Sequence, residues 1–253
     1  MTKKENKHLY ALVGKNISYS FSRGYFTEKF EKLNLNNHEY INFDIQSIQE
    51  LSQKIKENKK QLKGMNVTIP YKLEVFNFLD RIDKTALKVG AVNTIKITKK
   101  GRLKGYNTDV YGFQESLKPL LKKHHKRALI LGTGGASKAV AYVFESLGIK
   151  YKYVSRNPEG KKQISYQDID KELIESYFVI INCTPLGTYP NTAQYPSIPY
   201  KFLSEKHLLY DLIYNPSETT FLRKGKEQGS MVKNGLEMLE LQAEKAWEIW
   251  NES

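Results

Sequence analysis

Apolar residues recur along this chain in two rhythms, and the switching between them lays out the elements. Residues 9–13 form a short unbroken apolar run, which predicts a buried strand; a polar turn over 14–22 follows. Phe26, Phe30 and Leu33 then recur at steps of four and three, the period of a helix face. The same order returns with a strand at 40–43 and a helix at 47–57, whose apolar face is Ile48, Leu51 and Ile55 and whose N-cap is Ser47. A third strand, 62–68, is closed by Pro70, and 72–79 reads as helical. Strands at 91–98 and 102–106 flank Lys99, Lys100 and Gly101 as a tight hairpin. A helix over 109–118, with Phe113 and Leu117 inward, ends near Pro119.

Further on the alternation becomes regular: strand 128–131, helix 136–147, strands 150–154, 178–182 and 208–212, helix 217–228. Strands separated by crossover-length segments predict a parallel sheet. The last helix carries Leu236, Leu239, Ala243, Ala246 and Trp250 at three- and four-residue steps, a stripe suited to packing back on the first domain. No internal repeat or low-complexity tract interrupts this order. The expected division is 1–106 with 235–253 as one domain and 107–234 as the other.

Composition narrows the class. With 253 residues, 40% hydrophobic and 26% charged, the chain is that of a globular protein and not of a disordered or fibrous one. No apolar run approaches the roughly 20 residues of a membrane span, and the lysine-rich start leads into too short an apolar stretch for a signal peptide. The single cysteine, Cys183, fits a reducing compartment, so a cytoplasmic location is expected. A formal charge of +13 favours phosphorylated or carboxylated partners. The lysines are scattered, however, and the one dense run, Lys122, Lys123, His124, His125, Lys126 and Arg127, reads as a solvated interdomain connector, not a nucleic-acid site.

The sharpest motif follows the apolar strand 128–131: Gly132, Thr133, Gly134, Gly135, Ala136 and Ser137 lead directly into a helix. In a strand–turn–helix context, Gly132 permits the tight turn and Gly134 lets backbone approach a pyrophosphate, while the helix N-terminus donates amides to the anion. Ser137 replaces the third glycine of that pattern. The run is no P-loop, because Ser137 precedes Lys138 and Ala139 follows it. Twenty-three residues beyond Gly132 stand Ser155, Arg156 and Asn157, where a carboxylate would select a ribose 2′-hydroxyl. A cation there favours a 2′-phosphate, hence NADP over NAD, with Lys161 a second candidate and Glu159 the nearest acid. Hydride delivery to a carbonyl also requires an organic proton donor: His8, His38, His124, His125 and His207 show no metal-ligand spacing, and no metal is expected.

Seven segments then carry a resemblance: 14–22; 66–72, Asn-Val-Thr-Ile-Pro-Tyr-Lys; 90–94, Gly-Ala-Val-Asn-Thr; 107–109, Asn-Thr-Asp; 132–136; 182–187, Asn-Cys-Thr-Pro-Leu-Gly; and 210–216, Tyr-Asp-Leu-Ile-Tyr-Asn-Pro. In this order, over almost the whole chain, they resemble the shikimate dehydrogenase family. The resemblance implies an α/β fold: an N-terminal three-layer α/β substrate domain and a Rossmann-like dinucleotide-binding domain, with a cleft between them. It implies reversible NADPH-dependent reduction of 3-dehydroshikimate to shikimate, a step of aromatic amino-acid biosynthesis, by a monomer or homodimer acting on a small molecule without nucleic acid or membrane. Quinate or an aminoshikimate is the nearest alternative substrate, and a non-catalytic dinucleotide sensor or nucleic-acid binder the alternative class. Lys72 becomes the proton donor and acceptor and Asp109 its partner carboxylate. Ser20 and Ser22 donate to the substrate carboxylate with help from Tyr214, while Thr68, Asn93, Asp109 and Gln242 take ring hydroxyls. Gly132, Thr133, Gly134, Gly135, Ala136, Ser155, Arg156, Asn157, Thr184 and Gly235 fall on cofactor positions. Cys183, within 182–187, is read as small packing. Two positions depart from the family pattern: Tyr19 stands where it has histidine, and Arg23 where it has proline.

Overall fold

The computed structural model describes residues 7–18 and 20–252, so Tyr19 lies outside the described residues. The chain divides into two compact units, Met1–Thr108 with Ala243–Ser253, and Asp109–Gln242.

In the first unit, in chain order, lie β1 (His8–Gly14), α1 (Phe21–Lys32), β2 (His38–Asp44), α2 (Glu50–Asn58), β3 (Leu62–Val67), β4 (Arg81–Ile82), α3 (Lys84–Val89), β5 (Thr94–Ile97) and β6 (Leu103–Tyr106). They form one sheet in the order β2-β1-β3-β5-β6-β4. β1 runs parallel to β2 and β3, whereas β5 is antiparallel to β3 and to β6. Period-two alternation along β1 sends its side chains to two cores. Leu9, Ala11 and Val13 pack with Phe43, Leu51, Leu62, Met65, Val75 and Ala86 on one face. Tyr10 and Leu12 pack with Phe26, Phe30, Tyr40, Ala243, Ala246 and Trp250 on the other. Helical segments thus cover both faces of the sheet, the three-layer arrangement expected.

In the second unit α4 (Asp109–Leu117), β7 (Arg127–Leu131), α5 (Gly135–Ser146), β8 (Lys150–Val154), β9 (Gln163–Ile164), α6 (Lys171–Ser176), β10 (Val179–Asn182), β11 (Leu208–Asp211), α7 (Thr220–Glu227) and β12 (Met231–Lys233) precede the last helix, α8 (Leu236–Asn251). Six strands, all parallel, lie in the order β12-β11-β10-β7-β8-β9. Read from the other edge, this is the doubly wound order in which the chain builds outward from β7 one way, then returns to build outward the other way from β10. Strands buried on both faces need no alternation, which is why 128–131 and 179–181 are unbroken apolar runs. Phe113 of α4 packs edge-on against Phe144 and Tyr210, and Ser116 shares a 2.7 Å hydrogen bond with the Tyr210 hydroxyl, fixing α4 to the sheet.

Several local expectations are corrected. Leu33 is the C-cap of α1 and half exposed, so it lies off the buried face. Ser47 does not cap α2: the Glu50 carboxylate accepts from the backbone N–H groups of Gln46 and Ser47, which turns the chain before the helix begins. Residues 72–79 form no α-helix but a 3-10 turn over Glu74–Phe78. Strand 91–98 shortens to β5, and the helix placed at 217–228 begins at Thr220, capped by the Thr219 side chain. On α8 the buried positions are Met238, Gln242, Ala243, Ala246, Ile249 and Trp250, while Leu236 is exposed. The basic run is solvated, with His125 alone of its six residues buried, but it is not an interdomain connector: it lies within the second unit, and both His124 and His125 meet the Lys206 carbonyl oxygen at 3.0 Å.

Candidate active site

In the first unit the polar candidates gather at one edge of the sheet. β1 and β3 are parallel and end together at Gly14 and Val67; β5 runs the other way, so Asn93 precedes it at that same edge. Thr68 follows β3 and is tied back by its N–H to the Val13 carbonyl at 2.9 Å. A side chain at Gly14 would meet both Ile17 and Thr68, so the chain can leave β1 here only without a Cβ. The turn leads to Ser20, the N-cap of α1, whose hydroxyl oxygen accepts from the Ser22 N–H at 3.2 Å. Its own proton remains available to a ligand. Arg23 is exposed in the first turn of α1, where a backbone N–H has no intrahelical partner, so an arginine in place of the expected proline leaves the helix intact.

Lys72 is half buried, five residues beyond the end of β3, and its carbonyl accepts from the Val92 N–H at 2.9 Å. That bond pins the lysine segment to 90–94. Asn93 is buried; its Oδ1 accepts from the Thr108 N–H at 2.7 Å and its Nδ2 reaches Thr108 Oγ1 at 3.0 Å.

Behind these lies a chain that sequence reasoning missed. Ser22 hydrogen-bonds the Tyr40 hydroxyl, which donates to Asn66 Oδ1 at 2.8 Å. Asn66 Nδ2 in turn donates to the Asn93 carbonyl at 3.3 Å and Thr94 Oγ1 at 3.2 Å. Burial holds the Tyr40 phenol far above its ordinary pKa, so it stays neutral and serves as both donor and acceptor. The available signal was a tyrosine and an asparagine inside otherwise apolar strands.

In the second unit the cofactor candidates collect at the carboxyl ends of parallel strands. Gly132 follows β7 with φ of 101°, a left-handed conformation that favours glycine, and its N–H donates to the Val154 carbonyl at 2.9 Å. A Cβ at Gly132 would lie 3.1 Å from the Thr184 methyl, so the turn after β7 and the loop after β10 meet at the switch point of the sheet. Around Gly134 and Gly135 the space is open, and Gly134 caps α5 without a side-chain bond; the Ser137 N–H turns back onto the Gly134 carbonyl at 3.1 Å, and the amides ahead of it can face an anion. Ser137 explains its departure from the glycine pattern: it is buried, and its hydroxyl folds back onto the Gly134 carbonyl at 2.7 Å.

At the end of β8, Ser155 Oγ donates to the Asn157 carbonyl and accepts from the Asn157 N–H, which shapes the turn. Arg156 is exposed, and among the described residues neither it nor Lys161 makes an ion pair. These donors and open cations fit a phosphorylated dinucleotide. Gly235, beyond β12, packs against the Leu212 backbone and donates to the Ile213 carbonyl at 3.0 Å, which fixes the approach to half-buried Tyr214. Asp109 is buried at the start of α4, one turn before Gly112. A Cβ at Gly112 would lie 3.1 Å from Gln242, so α4 and α8 bring those two candidates to one helix contact. Desolvation, and then the Asp211 charge, push the Cys183 thiol well above its ordinary pKa, which removes it as a nucleophile.

An all-parallel sheet in this strand order, with a glycine turn at its switch point and a separate three-layer α/β unit, defines a two-domain oxidoreductase of the nicotinamide-dinucleotide class. The family profile for the shikimate dehydrogenase substrate binding domain matches residues 12–95. The chain is 36% identical over 259 residues to the shikimate dehydrogenase (NADP(+)) of Caldanaerobacter subterraneus subsp. tengcongensis, covering 96% of this chain and 91% of that relative. It is similar to the crystal structure of a shikimate dehydrogenase in complex with NADP+, at a TM-score of 0.86 and 33% identity over 97% of this chain and 90% of the other. The Thermus thermophilus enzyme, in complex with NADP(H) and shikimate, aligns at a TM-score of 0.84 and 30% identity, covering 96% of this chain and 93% of that one. This chain belongs to the shikimate dehydrogenase family.

Proposed function

We propose that the chain catalyses the reversible NADPH-dependent reduction of 3-dehydroshikimate to shikimate. The observation that carries this is the sheet edge of the first unit: two serine hydroxyls, a threonine, a buried asparagine and a half-buried lysine are set there by the ends of β1 and β3 and the start of β5. Neutral hydroxyl donors suit a carboxylate, and the other groups suit the ring hydroxyls of a polyol. On this reading Met1–Thr108 with the end of α8 is the substrate domain, and Asp109–Gln242 the cofactor domain.

The roles follow from the chemistry required. Ser20 and Tyr214 hold the substrate carboxylate, joined by Ser22 when its proton turns from the Tyr40 oxygen to the ligand; Thr68, Asn93 and Gln242 orient the ring. Lys72 gives a proton to the oxygen that becomes the alcohol and recovers it in the reverse direction, and Asp109 is its partner carboxylate. Gly132–Ala136 and Thr184 receive the dinucleotide, and Arg156, with Lys161, the 2′-phosphate. The bound dinucleotide supplies the hydride. On the same reading the enzyme acts in the cytoplasm, as a monomer or homodimer, without a nucleic-acid partner.

The assay is NADP+ reduction with shikimate, with quinate and with no added substrate; turnover on shikimate is expected to dominate. Lys72→Met should keep dinucleotide binding and lower turnover at least about a hundredfold, the lower end of general-acid contributions. Near-normal turnover in that variant would remove Lys72 from the mechanism.

A further inference from the structure

Asp211 ends the apolar strand β11 and is fully buried, and among the described residues no cation pairs with it. Its carboxylate is held by neutral donors. Asn182 Nδ2 at 3.0 Å and the Ile213 N–H at 3.1 Å reach Oδ1, and Thr219 Oγ1 at 2.6 Å reaches Oδ2. Burial lifts the carboxyl to about 6 while these donors pull the other way. An apolar residue would cost less to bury at a strand end, so what the carboxylate holds in place is the informative part.

Its three donors come from three segments: the end of β10, the stretch after β11, and the N-cap of α7. Asn182 is itself fully buried, and its Oδ1 accepts from both the N–H and the Oγ1 of Thr184, at 3.0 and 2.6 Å. An asparagine amide has a donor end and an acceptor end, whereas a carboxylate only accepts. Fixing Nδ2 on Asp211 therefore fixes Oδ1 on Thr184, and Thr184 is the residue whose methyl lies against the Gly132 turn. Thr219 acts on the far end of the same loop: a Cβ at Gly187, where φ is 102°, would lie 3.4 Å from the Thr219 Cβ.

We propose that Asp211 is a positioning residue for the dinucleotide site, its acceptor-only carboxylate orienting the Asn182 amide and, through it, Thr184 beside the glycine turn. The inference rests on the reading that this turn takes NADP(H). It explains a charge buried in the sheet without a counter-ion, and it assigns Asp211 no contact with the reacting atoms.

The experiment is an equilibrium titration of NADP+ into the wild-type chain and into Thr184→Ala, Asp211→Ala, the double variant and Asp211→Asn. Asp211→Ala is expected to weaken NADP+ binding about tenfold, the loss of roughly one net hydrogen bond. The double variant should bind no worse than the weaker single variant, because both substitutions remove one linked contact; a merely structural carboxylate would give additive losses. Asp211→Asn keeps an acceptor for Asn182 and Ile213 and turns its amide to Thr219 Oγ1, so binding should stay within about twofold of wild type. Additive losses, or Asp211→Ala binding like wild type, overturn the proposal. Should Asp211→Ala fail to fold, Asn182→Ser takes its place in the same cycle with the same two readings. A wild-type chain that binds no NADP+ would overturn the cofactor reading itself, so the two failures are told apart.

Discussion

Tyr40 shows how much one hydroxyl organises. Its bond to Asn66 spans 26 residues of sequence and joins two residues buried in the sheet. Tyr40→Phe keeps the ring stack on Phe26, whose centroid is 4.7 Å away, but leaves Asn66 Oδ1 without its donor. A buried acceptor stranded in this way costs about 1–3 kcal/mol, so the urea unfolding midpoint should drop accordingly. An unchanged midpoint would mean that water or a rotated amide replaces the phenol. At this scale the sequence was legible where a residue type is demanded locally, as Gly132 is by its left-handed turn, whereas the N-cap place of Ser20 came only with the structure. Nor did the sequence assign a role to Tyr40, Asn66 or Asp211, whose partnerships become visible only once the strands are in register.

Among elements, the long apolar runs and the glycine turn were legible because burial on both faces and a left-handed turn each leave a local mark. Two- and three-residue strands such as β4, β9 and β12 leave none, being too short for an alternating pattern to repeat. The stripe on α8 was half right: Ala243, Ala246 and Trp250 are buried, but Leu236, the first residue of the helix, is exposed. What docks the end of α8 is Trp250, whose indole N–H donates to the Ile95 carbonyl at 3.0 Å and whose ring occupies the place of a side chain at Gly64. Gly64 lies in β3 with an ordinary strand conformation, so its need is for space and not for backbone freedom. Gly64→Ala should therefore destabilise by about 1–3 kcal/mol, as overpacking of a filled core does. Its signature is specific: tryptophan fluorescence should shift toward that of solvated indole, while Gly101→Ala, where no neighbour lies within 4 Å but φ is 73°, leaves the emission unchanged. Equal emission in both variants would dissociate Gly64 from the docking of Trp250.

For the whole molecule the net charge of +13 and the histidines act together on stability as pH changes. Burial lowers the pKa of His8 and His38 in the first unit, helped by Lys63 and by His8 respectively, and of His125 and His207 in the second. Each is neutral in the folded chain at a pH where the unfolded chain, with an ordinary value near 6.5, already binds a proton. Between the folded and unfolded values the unfolded state thus holds more protons, so stability rises with pH there and is lost as pH falls below about 6.5. Asp211 has the opposite sign: raised to about 6 from 3.8, it binds its proton first in the folded state and offsets part of the loss as pH falls between those values. One carboxyl cannot cancel four imidazoles, and protonating carboxylates only adds to a charge that is already positive. The urea midpoint should consequently fall monotonically from pH 7 to pH 5, and His207→Asn, which removes one of the four imidazoles whose pKa burial lowers, should flatten that slope. A midpoint that is level or rising over the same interval would show that the imidazoles accept protons in place, with the Lys206 and Ile174 carbonyls absorbing the charge on His125 and His207.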